Sequence, residues 1–339
     1  MPEVSVLIVS YNTRAMTLRC LQTLFDQSRD VDFETVVVDN ASRDGSVEAI
    51  RAAFPTVKLV ASDENLGFGR ANNRAMEIAK APLFLLLNSD AFVHEGALKS
   101  LIEYSKSQPR VGVVGPRLLN RDESVQKSAY VFPSPARCWQ ENLGLTHFVK
   151  DEESKIEARA PWLIGACLLV RRETWQQVGG FDERFFMYQE ETDWQKRMRA
   201  AGWEIALEPR AVVTHWGGAS NASSDALSNS SDGAQSDAKS NASAVKSEIR
   251  VSPYFFSSLD LYALKHHGVG GLLSVRLAMV AGNAARLLAH FGLGLVPSRR
   301  GKSRQKLKFH ARLLWRQATH WKGLGVMSKS DSRDKNPRS

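Results

Sequence analysis

Short apolar runs alternate with segments of helical periodicity through the first hundred residues of the chain. Residues 4–9, 35–38, 57–60 and 83–87 are rich in branched aliphatic side chains, as in strands buried on both faces of a parallel sheet. Between the first two runs, Leu18, Leu21, Leu24 and Phe25 recur at helical spacing. This alternation predicts an α/β fold with an open, mostly parallel sheet flanked by helices.

Polar side chains collect where the predicted strands end. They are Ser10, Tyr11 and Asn12 after the first strand, Asp39 and Asn40 after the second, Asn65 and Asn72, with Gly67 between them, after the third, and Asn88, Ser89 and Asp90 after the fourth. Ligands of open α/β sheets bind at the carboxyl ends of the strands, so these residues are candidates for a binding site. The first strand is not followed by a Gly-x-Gly-x-x-Gly or Gly-Lys-Ser/Thr pattern, which argues against dinucleotide-binding and P-loop proteins.

A second candidate site lies in residues 185–194. Aromatic residues in this segment precede the first turn of a predicted helix that ends near Gly202. Trp194, Met198 and Ala201 form an apolar stripe on this helix. Glu190 and Glu191 flank the stripe, so at least one carboxylate is expected to point inward. A carboxylate at a helix N-terminus is a candidate general base, because the helix dipole favours its ionised form. Asp193 and Arg197 have the spacing of an ion pair within the helix.

These elements, in this order, resemble the inverting family 2 glycosyltransferases with a GT-A fold, and within them a rhamnosyltransferase-like branch. The resemblance covers roughly residues 3–218. It implies that the polar strand ends bind a nucleotide sugar, and that Asp90 with His215 binds a divalent cation, Mg²⁺ or Mn²⁺. It implies that the base lies in the Glu190–Glu191 pair, with Glu191 favoured and the choice open. It also places Trp162, Gly165, Asp182 and Asp193 on the acceptor side.

The function implied by the resemblance is metal-dependent transfer of a sugar, with inversion, from dTDP-rhamnose or a UDP- or GDP-hexose. The acceptor would be a glycan or a lipid-linked glycan in cell-surface polysaccharide synthesis. The chain departs from the usual Asp-x-Asp metal motif because Asn88 replaces the first carboxylate, although its amide still offers an oxygen.

The predicted organisation has a catalytic domain over residues 1–218, with a nucleotide-binding part over 1–118 and an acceptor-side part over 119–218. Residues 111–119 and 162–170 are predicted strands within it. Residues 219–248 are rich in Ser and Asn and lack aromatic side chains, which predicts a disordered insertion. Residues 249–325 are predicted to form a helical, basic appendage, and residues 326–339 a disordered tail.

The net charge of +9 is unevenly distributed along the chain. From Gly271 onward there are 15 Lys and Arg against 2 Asp and Glu, so the preceding residues are mildly acidic. This asymmetry indicates an anionic partner, either a membrane surface or a nucleic acid. The membrane surface is favoured over a nucleic acid, because the basic segment shows no nucleic-acid recognition motif. Residues 272–296 are apolar but interrupted by Arg276, Arg286 and His290, so an amphipathic hairpin on a bilayer is predicted instead of a membrane span. A helical appendage packed on the catalytic domain or a partner subunit is the competing interpretation.

The three cysteines show no metal-type spacing, and the N-terminus shows no basic region before its apolar run. Both features favour a reducing, cytoplasmic location. The basic C-terminal region predicts a peripheral position on the cytoplasmic face of the membrane. Two other functions stay open at this level: a nucleic-acid-binding protein acting through the basic segment, and a catalytically inactive scaffold that binds sugar or nucleotide.

Overall fold

A computed structural model describes residues 1–144, 161–217, 252–294 and 300–320. The chain forms two compact units. The sheet unit is built from residues 1–132 and 152–255, and the helical unit from residues 133–151 and 256–339. The predictions for the insertion at 219–248 and for the tail at 326–339 lie outside the described residues.

The sheet unit contains a nine-stranded sheet and a separate two-stranded one. The strands are β1 (Val4–Ser10), β2 (Phe33–Asp39), β3 (Lys58–Ala61), β4 (Leu83–Asn88), β5 (Ala91–Val93), β6 (Val111–Leu119), β7 (Val125–Gln126), β8 (Ala129–Tyr130), β9 (Trp162–Leu163), β10 (Cys167–Arg171) and β11 (Glu204–His215). The large sheet has the order β3-β2-β1-β4-β10-β6-β11-β5, with β7 paired to β6, and β8 pairs with β9.

The helices of the sheet unit follow the predicted alternation. They are α1 (Arg14–Gln27), α2 (Ser46–Ala53), α3 (Phe68–Ile78), α4 (Ala97–Ser107), α6 (Arg172–Val178) and α7 (Glu190–Ala200); α5 (Pro135–Asn142) belongs to the helical unit. Strands β3, β2, β1 and β4 pair in parallel, and β11 pairs in parallel with β6, so the predicted α/β class and mostly parallel sheet are confirmed.

One predicted strand is wrong in its extent. Residues 162–170 do not form a single strand, because the backbone leaves β9 after Leu163 and re-enters the large sheet at Cys167. Strand β10 then runs antiparallel between β4 and β6. The intervening turn at Gly165 and Ala166 lies beside the end of β4, since the Asn88 amide donates to the Ala166 carbonyl at 2.9 Å.

The large sheet is buried on both faces by two hydrophobic clusters. Val6 and Ile8 of β1 face the cluster that contains Leu21 of α1, whereas Leu7 faces the one that contains Met76 of α3. Alternation along a strand sends successive side chains to opposite faces, which explains why β1 reads as a continuous apolar run. With both faces covered, the carboxyl edge of the sheet is where polar side chains can gather.

The helical unit is formed by α5, α8 (Pro253–Gly294) and α9 (Arg300–His320). The helix predicted at 253–267 is confirmed, and Gly268 interrupts α8 with φ of 66°. The predicted hairpin at 272–296 is wrong, because the described part of that segment is one helix up to Gly294. Residues Tyr254–Leu293 are long and apolar enough to cross a membrane by length and composition alone.

Candidate active site

The ends of β1 and β2 are joined by a network of short loops. Asn12 adopts the left-handed region with φ of 51°, and its backbone N–H donates to Ser42 Oγ at 2.9 Å. Its side-chain oxygen accepts from the Arg43 N–H at 2.8 Å. The Ser42 N–H donates to Asp39 Oδ1, while Asp39 Oδ2 is buried without a hydrogen-bond partner. Asp39 therefore keeps one unpaired acceptor oxygen, which is uncommon for a buried polar atom.

Ser10 and Tyr11, the other predicted residues here, differ in exposure. Ser10 is fully buried, and its hydroxyl lies 3.0 Å from that of Thr17. Tyr11 is half-buried, directly before Asn12. Ser10 therefore fixes the strand end, and Tyr11 is the more accessible of the two to a ligand.

The Asn65–Gly67 loop is held by Asn40, the second of the two polar residues at the end of β2. Asn40 accepts from the Leu66 N–H at 2.9 Å and donates to Asn65 Oδ1 at 3.0 Å. Gly67 has φ of 78°, and a Cβ at this position would lie 2.5 Å from the carbonyl oxygen of Phe186. Gly67 is thus required both by its backbone conformation and by the close passage of the segment that leads to α7.

Asn72 and Asn73, in α3, have different partners. Asn72 is buried and donates back to the Phe68 carbonyl at 3.0 Å. Asn73 reaches the segment before α7, where it donates to the Phe181 carbonyl at 2.9 Å and accepts from the Phe181 N–H at 2.8 Å. Asn73 therefore ties the nucleotide-side helix to the predicted acceptor side.

The end of β4 and the end of β11 bring the predicted metal ligands together. His215 Nε2 lies 3.4 Å from Asp90 Oδ1 and 3.4 Å from Asn88 Nδ2. All of this is sheltered, since Asp90 is 6% exposed and His215 is 7% exposed. Ser89 accepts a hydrogen bond from the Thr13 hydroxyl at 3.1 Å, which fixes the turn between β4 and β5.

Gln126 of β7 determines which nitrogen of His215 faces Asp90. Its side-chain nitrogen donates to Asn120 Oδ1 at 2.9 Å and to the His215 carbonyl at 3.4 Å, so Oε1 is the atom 2.9 Å from His215 Nδ1. Because Oε1 can only accept, Nδ1 carries a proton, and Nε2 is the ring nitrogen that faces Asp90. In the neutral imidazole, Nε2 is therefore the nitrogen with the free lone pair. A carboxylate oxygen and an unprotonated imidazole nitrogen form a donor set that fits a divalent cation such as Mn²⁺.

The predicted catalytic pair occupies the first turn of α7. Tyr188 and Gln189 precede it with φ of 71° and 65°, a conformation that is costly for two successive non-glycine residues. Glu190 is 5% exposed and Glu191 is half-buried, which confirms the predicted inward carboxylate. One carboxylate oxygen of each is buried without a hydrogen-bond partner, as is the Thr192 hydroxyl. Unpaired buried acceptors at a helix N-terminus indicate a site that a ligand completes.

The two carboxyls differ in their electrostatic surroundings. Burial raises the pKa of Glu190 well above its ordinary value, and the neighbouring charge of Glu191 raises it further. Burial also raises the pKa of Glu191, but the backbone N–H groups of Glu191, Thr192 and Gly165 oppose the shift. Glu191 is therefore the member that ionises first, and Glu190 the one that keeps its proton longer.

The turn at Gly165–Ala166 connects the metal-side and base-side residues. A Cβ on Gly165 would lie 3.5 Å from the Glu191 side chain. The backbone carbonyl of the next residue, Ala166, accepts a hydrogen bond from the backbone N–H of Asn88. The end of β4 and the first turn of α7 thus meet on either side of one turn. Gln195, which the sequence analysis missed, holds this arrangement by accepting from the Leu163 N–H at 2.8 Å and donating to its carbonyl at 2.7 Å.

The remaining residues predicted on the acceptor side have defined contacts. Trp162 donates to the Val131 carbonyl at 3.0 Å and stacks on Tyr130, with ring centroids 5.0 Å apart. Asp182 pairs with Arg184 at 2.7 Å. Asp193 is fully buried and pairs with Arg197 at 3.0 Å, which confirms the pair expected from their spacing. The contacts of Asp193 are structural, because Arg197 in turn donates to two backbone carbonyls before α7.

Comparison with known proteins decides the family. The family described as "Glycosyl transferase family 2" matches residues 5–178. The chain belongs to glycosyl transferase family 2. This confirms the family inferred from the sequence motifs. The matched range contains the strand ends of β1 to β4 and the Gly165–Ala166 turn.

One curated relative of this family 2 chain supports the rhamnosyltransferase-like resemblance. It is an "N-acetylglucosaminyl-diphospho-decaprenol L-rhamnosyltransferase" of Mycobacterium tuberculosis, 34% identical over 200 residues. That match covers 53% of this chain and 65% of the relative. The chain therefore spans less than two thirds of the relative's own length.

Solved structures share the fold of this family 2 chain. A mannosyltransferase from Pyrobaculum calidifontis, in complex with GDP-mannose and Mn²⁺, matches with a TM-score of 0.51 and 19% identity, covering 94% of this chain and 86% of its own. The structure of GalNAc-T7 with UDP, GalNAc and Mn²⁺ matches with a TM-score of 0.50 and 16% identity, covering 64% and 43%. The predicted GT-A-type fold is confirmed.

Proposed function

We propose that the chain is an inverting glycosyltransferase that moves a sugar from a nucleotide-diphosphate sugar to a hydroxyl of an acceptor glycan. The observation that carries the proposal is that candidate metal ligands and a candidate base lie on opposite sides of one turn, Gly165–Ala166. Asp90 and His215 supply cation ligands on one side, and Glu191 supplies a buried carboxylate on the other.

Asp90 and His215 are the residues that would hold a divalent cation. Within the described ranges, no cluster of three His, Cys, Asp or Glu side chains could hold a metal. A cation at Asp90 would therefore take its other ligands from the donor phosphates and from water, as Mg²⁺ and Mn²⁺ commonly do. When bound, it supplies charge stabilisation for the departing nucleoside diphosphate.

Glu191 is the proposed general base. It takes the proton from the acceptor hydroxyl as the oxygen attacks the anomeric carbon, opposite the bond to the diphosphate, so the product has inverted configuration. Its raised pKa makes it a stronger base than an exposed carboxylate, while the opposing backbone N–H groups keep the ionised form accessible. Glu190, more deeply buried, retains its proton and so avoids a second negative charge beside Glu191.

The relative from Mycobacterium tuberculosis suggests the finer specificity. Its name supports rhamnose as the transferred sugar and a lipid-diphosphate-linked sugar as the acceptor. We propose dTDP-rhamnose as the donor, with UDP- and GDP-hexoses as the other donors to test. Such an acceptor is anchored in a membrane, so we place the enzyme on the cytoplasmic membrane surface in polysaccharide synthesis. The excess of Lys and Arg after Gly271 supports this location.

A ligand-stability experiment tests the proposal. Melting temperatures are measured with dTDP, UDP, GDP and ADP, each with and without Mn²⁺, for the wild type, Asp90→Asn and the exposed control Asp63→Asn. A true ligand at a hundredfold excess over its Kd stabilises the fold by about 2.7 kcal/mol. Stabilisation by one nucleotide that needs Mn²⁺, and that is lost only in Asp90→Asn, is the expected result. If no nucleotide stabilises the wild type with Mn²⁺, the proposed function is wrong.

The matching sugar nucleotide then tests catalysis. Transfer to a lipid-linked acceptor, followed by analysis of the anomeric configuration, should show inversion. Nucleotide binding without any transfer to lipid-linked or soluble glycan acceptors would instead indicate an inactive binding scaffold.

A further inference from the structure

The helical unit exposes an apolar stripe along α8. Positions 269, 273, 277, 280, 284, 287, 288 and 291 fall within an arc of about 100° on a helix, and all are Val, Leu, Ala or Phe. Val269 is 64% exposed, Leu277 57%, Leu288 74% and Phe291 65%. The stripe, defined as these eight positions, is about 33 Å long and carries no polar side chain.

The opposite face of the same helix is already occupied. Leu272, Val275 and Met279 are buried in the core of the helical unit. Both arginines of the helix lie on that side. Arg276 is 5% exposed and pairs with Asp260 at 2.6 Å, and Arg286 contacts Asn142 of α5 at 3.3 Å. The stripe is therefore an additional apolar face, beyond the one that the fold uses for its own core.

The neighbouring helix α9 adds a basic face. Its sequence contains seven Lys and Arg and no Asp or Glu. Arg304, Lys308 and Arg312 are exposed and fall on one side of the helix together with Trp315, which is 68% exposed. On its other side, His310 contacts Asn283 of α8 at 3.0 Å, so α9 packs through a face different from the basic one.

We propose that the helical unit lies on an anionic bilayer, with the stripe of α8 inserted at the boundary between headgroups and acyl chains and the basic face of α9 held by acidic headgroups. A helix that is apolar on its free side and lies beside a cluster of cations has the features of interfacial membrane binding. Membrane binding itself does not depend on the proposed function. Only its purpose, to bring the active site to a lipid-linked acceptor, rests on the proposed function.

Two other occupants of the stripe fit the structure less well. A second copy of the chain would bring two cation-rich surfaces together, because residues 269–294 and 300–320 contain no Asp or Glu to pair with them. A membrane span would place Arg276 and Arg286 at the depth of the acyl chains, where charged side chains are costly. Contact through one face leaves both arginines on the protein side.

Vesicle flotation of the full chain tests the inference with a matched pair of variants. Leu288→Glu places a carboxylate in the stripe, and Ala289→Glu places the same group one residue later, at an exposed position outside it. The probes are vesicles of phosphatidylcholine alone and vesicles that contain phosphatidylglycerol. Circular dichroism and nucleotide-induced stabilisation in detergent-free buffer check that both variants fold, and they report on the sheet unit independently of lipid.

The wild type should float with the acidic vesicles and only weakly with neutral ones, and added salt should release it. Leu288→Glu should lower the partition coefficient by about tenfold or more, because an apolar side chain and its burial are both lost. Ala289→Glu should change it by no more than about fivefold, the effect expected of one charge near the surface.

Three results would overturn the inference. The first is wild-type protein that does not float with acidic vesicles although nucleotide still stabilises it. The second is an equal loss of binding in both variants. The third is evidence for another occupant of the stripe. An oligomer that Leu288→Glu dissociates without affecting flotation would indicate a second copy of the chain. Protein that resists extraction from membranes at alkaline pH would indicate a membrane span.

Discussion

Replacing Gln126 by Leu should weaken cation binding without touching a proposed ligand. The substitution removes the oxygen that accepts from His215 Nδ1 at 2.9 Å and the nitrogen that donates to the His215 carbonyl at 3.4 Å. The imidazole, only 7% exposed, then either leaves Nδ1–H unpaired or turns to find another partner. Both outcomes remove the fixed presentation of Nε2 toward Asp90.

The expected size of the effect follows from this geometry. Loss of the group that orients a ligating histidine typically lowers metal affinity by about 10- to 100-fold. This corresponds to about 1.4–2.8 kcal/mol, which is comparable to the cost of one unpaired buried donor. Gln126→Glu keeps an acceptor at the same place and should retain most of the affinity.

Mn²⁺ affinity can be measured by following the signal of free Mn²⁺ in electron paramagnetic resonance, with the stabilising nucleotide present. Val125→Thr is the matched control. Val125 lies in the same two-residue strand and is 69% exposed, and its apolar side chain cannot hydrogen-bond to His215. A Gln126→Leu variant that binds Mn²⁺ as tightly as the control would refute the proposed role of Gln126 in orienting His215.

Four further predictions concern the glutamate pair and Gly67. Glu191→Gln should keep metal-dependent nucleotide binding but lower kcat by about 10²- to 10⁴-fold, whereas Glu48→Gln on exposed α2 should leave kcat unchanged. The acid limb of the kcat profile should lie above 4.5, since burial raises the pKa of Glu191 and the base must be ionised. Because the pKa of Glu190 is raised in the folded state, wild-type stability should fall as pH rises from about 4.5 toward that raised value. The Tm advantage of Glu190→Gln should therefore grow over the same window, and a difference independent of pH would contradict this. Gly67→Ala should lower the free energy of unfolding in urea by more than about 1 kcal/mol, and by more than Gly96→Ala, which has a similar φ of 70° but no atom within 4 Å of the added Cβ.

The parallel half of the sheet could be predicted because its signals are local. Each of the strands β1 to β4 contains a short apolar run, and each is followed by polar residues whose position at the carboxyl edge follows from the pairing direction. The inward position of the Glu190–Glu191 pair could be predicted for the same reason, since helical periodicity alone places the pair beside Trp194. Local patterns were enough to bring the polar residues after β1 to β4 to one edge of the sheet, whereas the pairing of His215 with Asp90 and the role of the Glu pair came from the family resemblance.

The supports of the site could not be predicted, because they act across long stretches of sequence. Gln126 contacts a histidine 89 residues later, and Gln195 contacts a strand 32 residues earlier. A single glutamine has no periodicity or turn preference that would reveal such a partner. The antiparallel insertion of β10 was missed for a related reason, because Gly165 and Ala166 sit inside an apolar run that resembles one long strand.

The close passage of Phe186 over Gly67 has a consequence for engineering acceptor specificity. The segment that leads to α7 rests on the loop before α3 through backbone atoms, and Asn73 grips the same segment at Phe181. A chimaera that exchanges residues 180–200 for those of a relative would therefore separate two surfaces shaped to each other. A chimaera should therefore exchange residues 65–73 together with residues 180–200, so that both contacting segments come from the same protein.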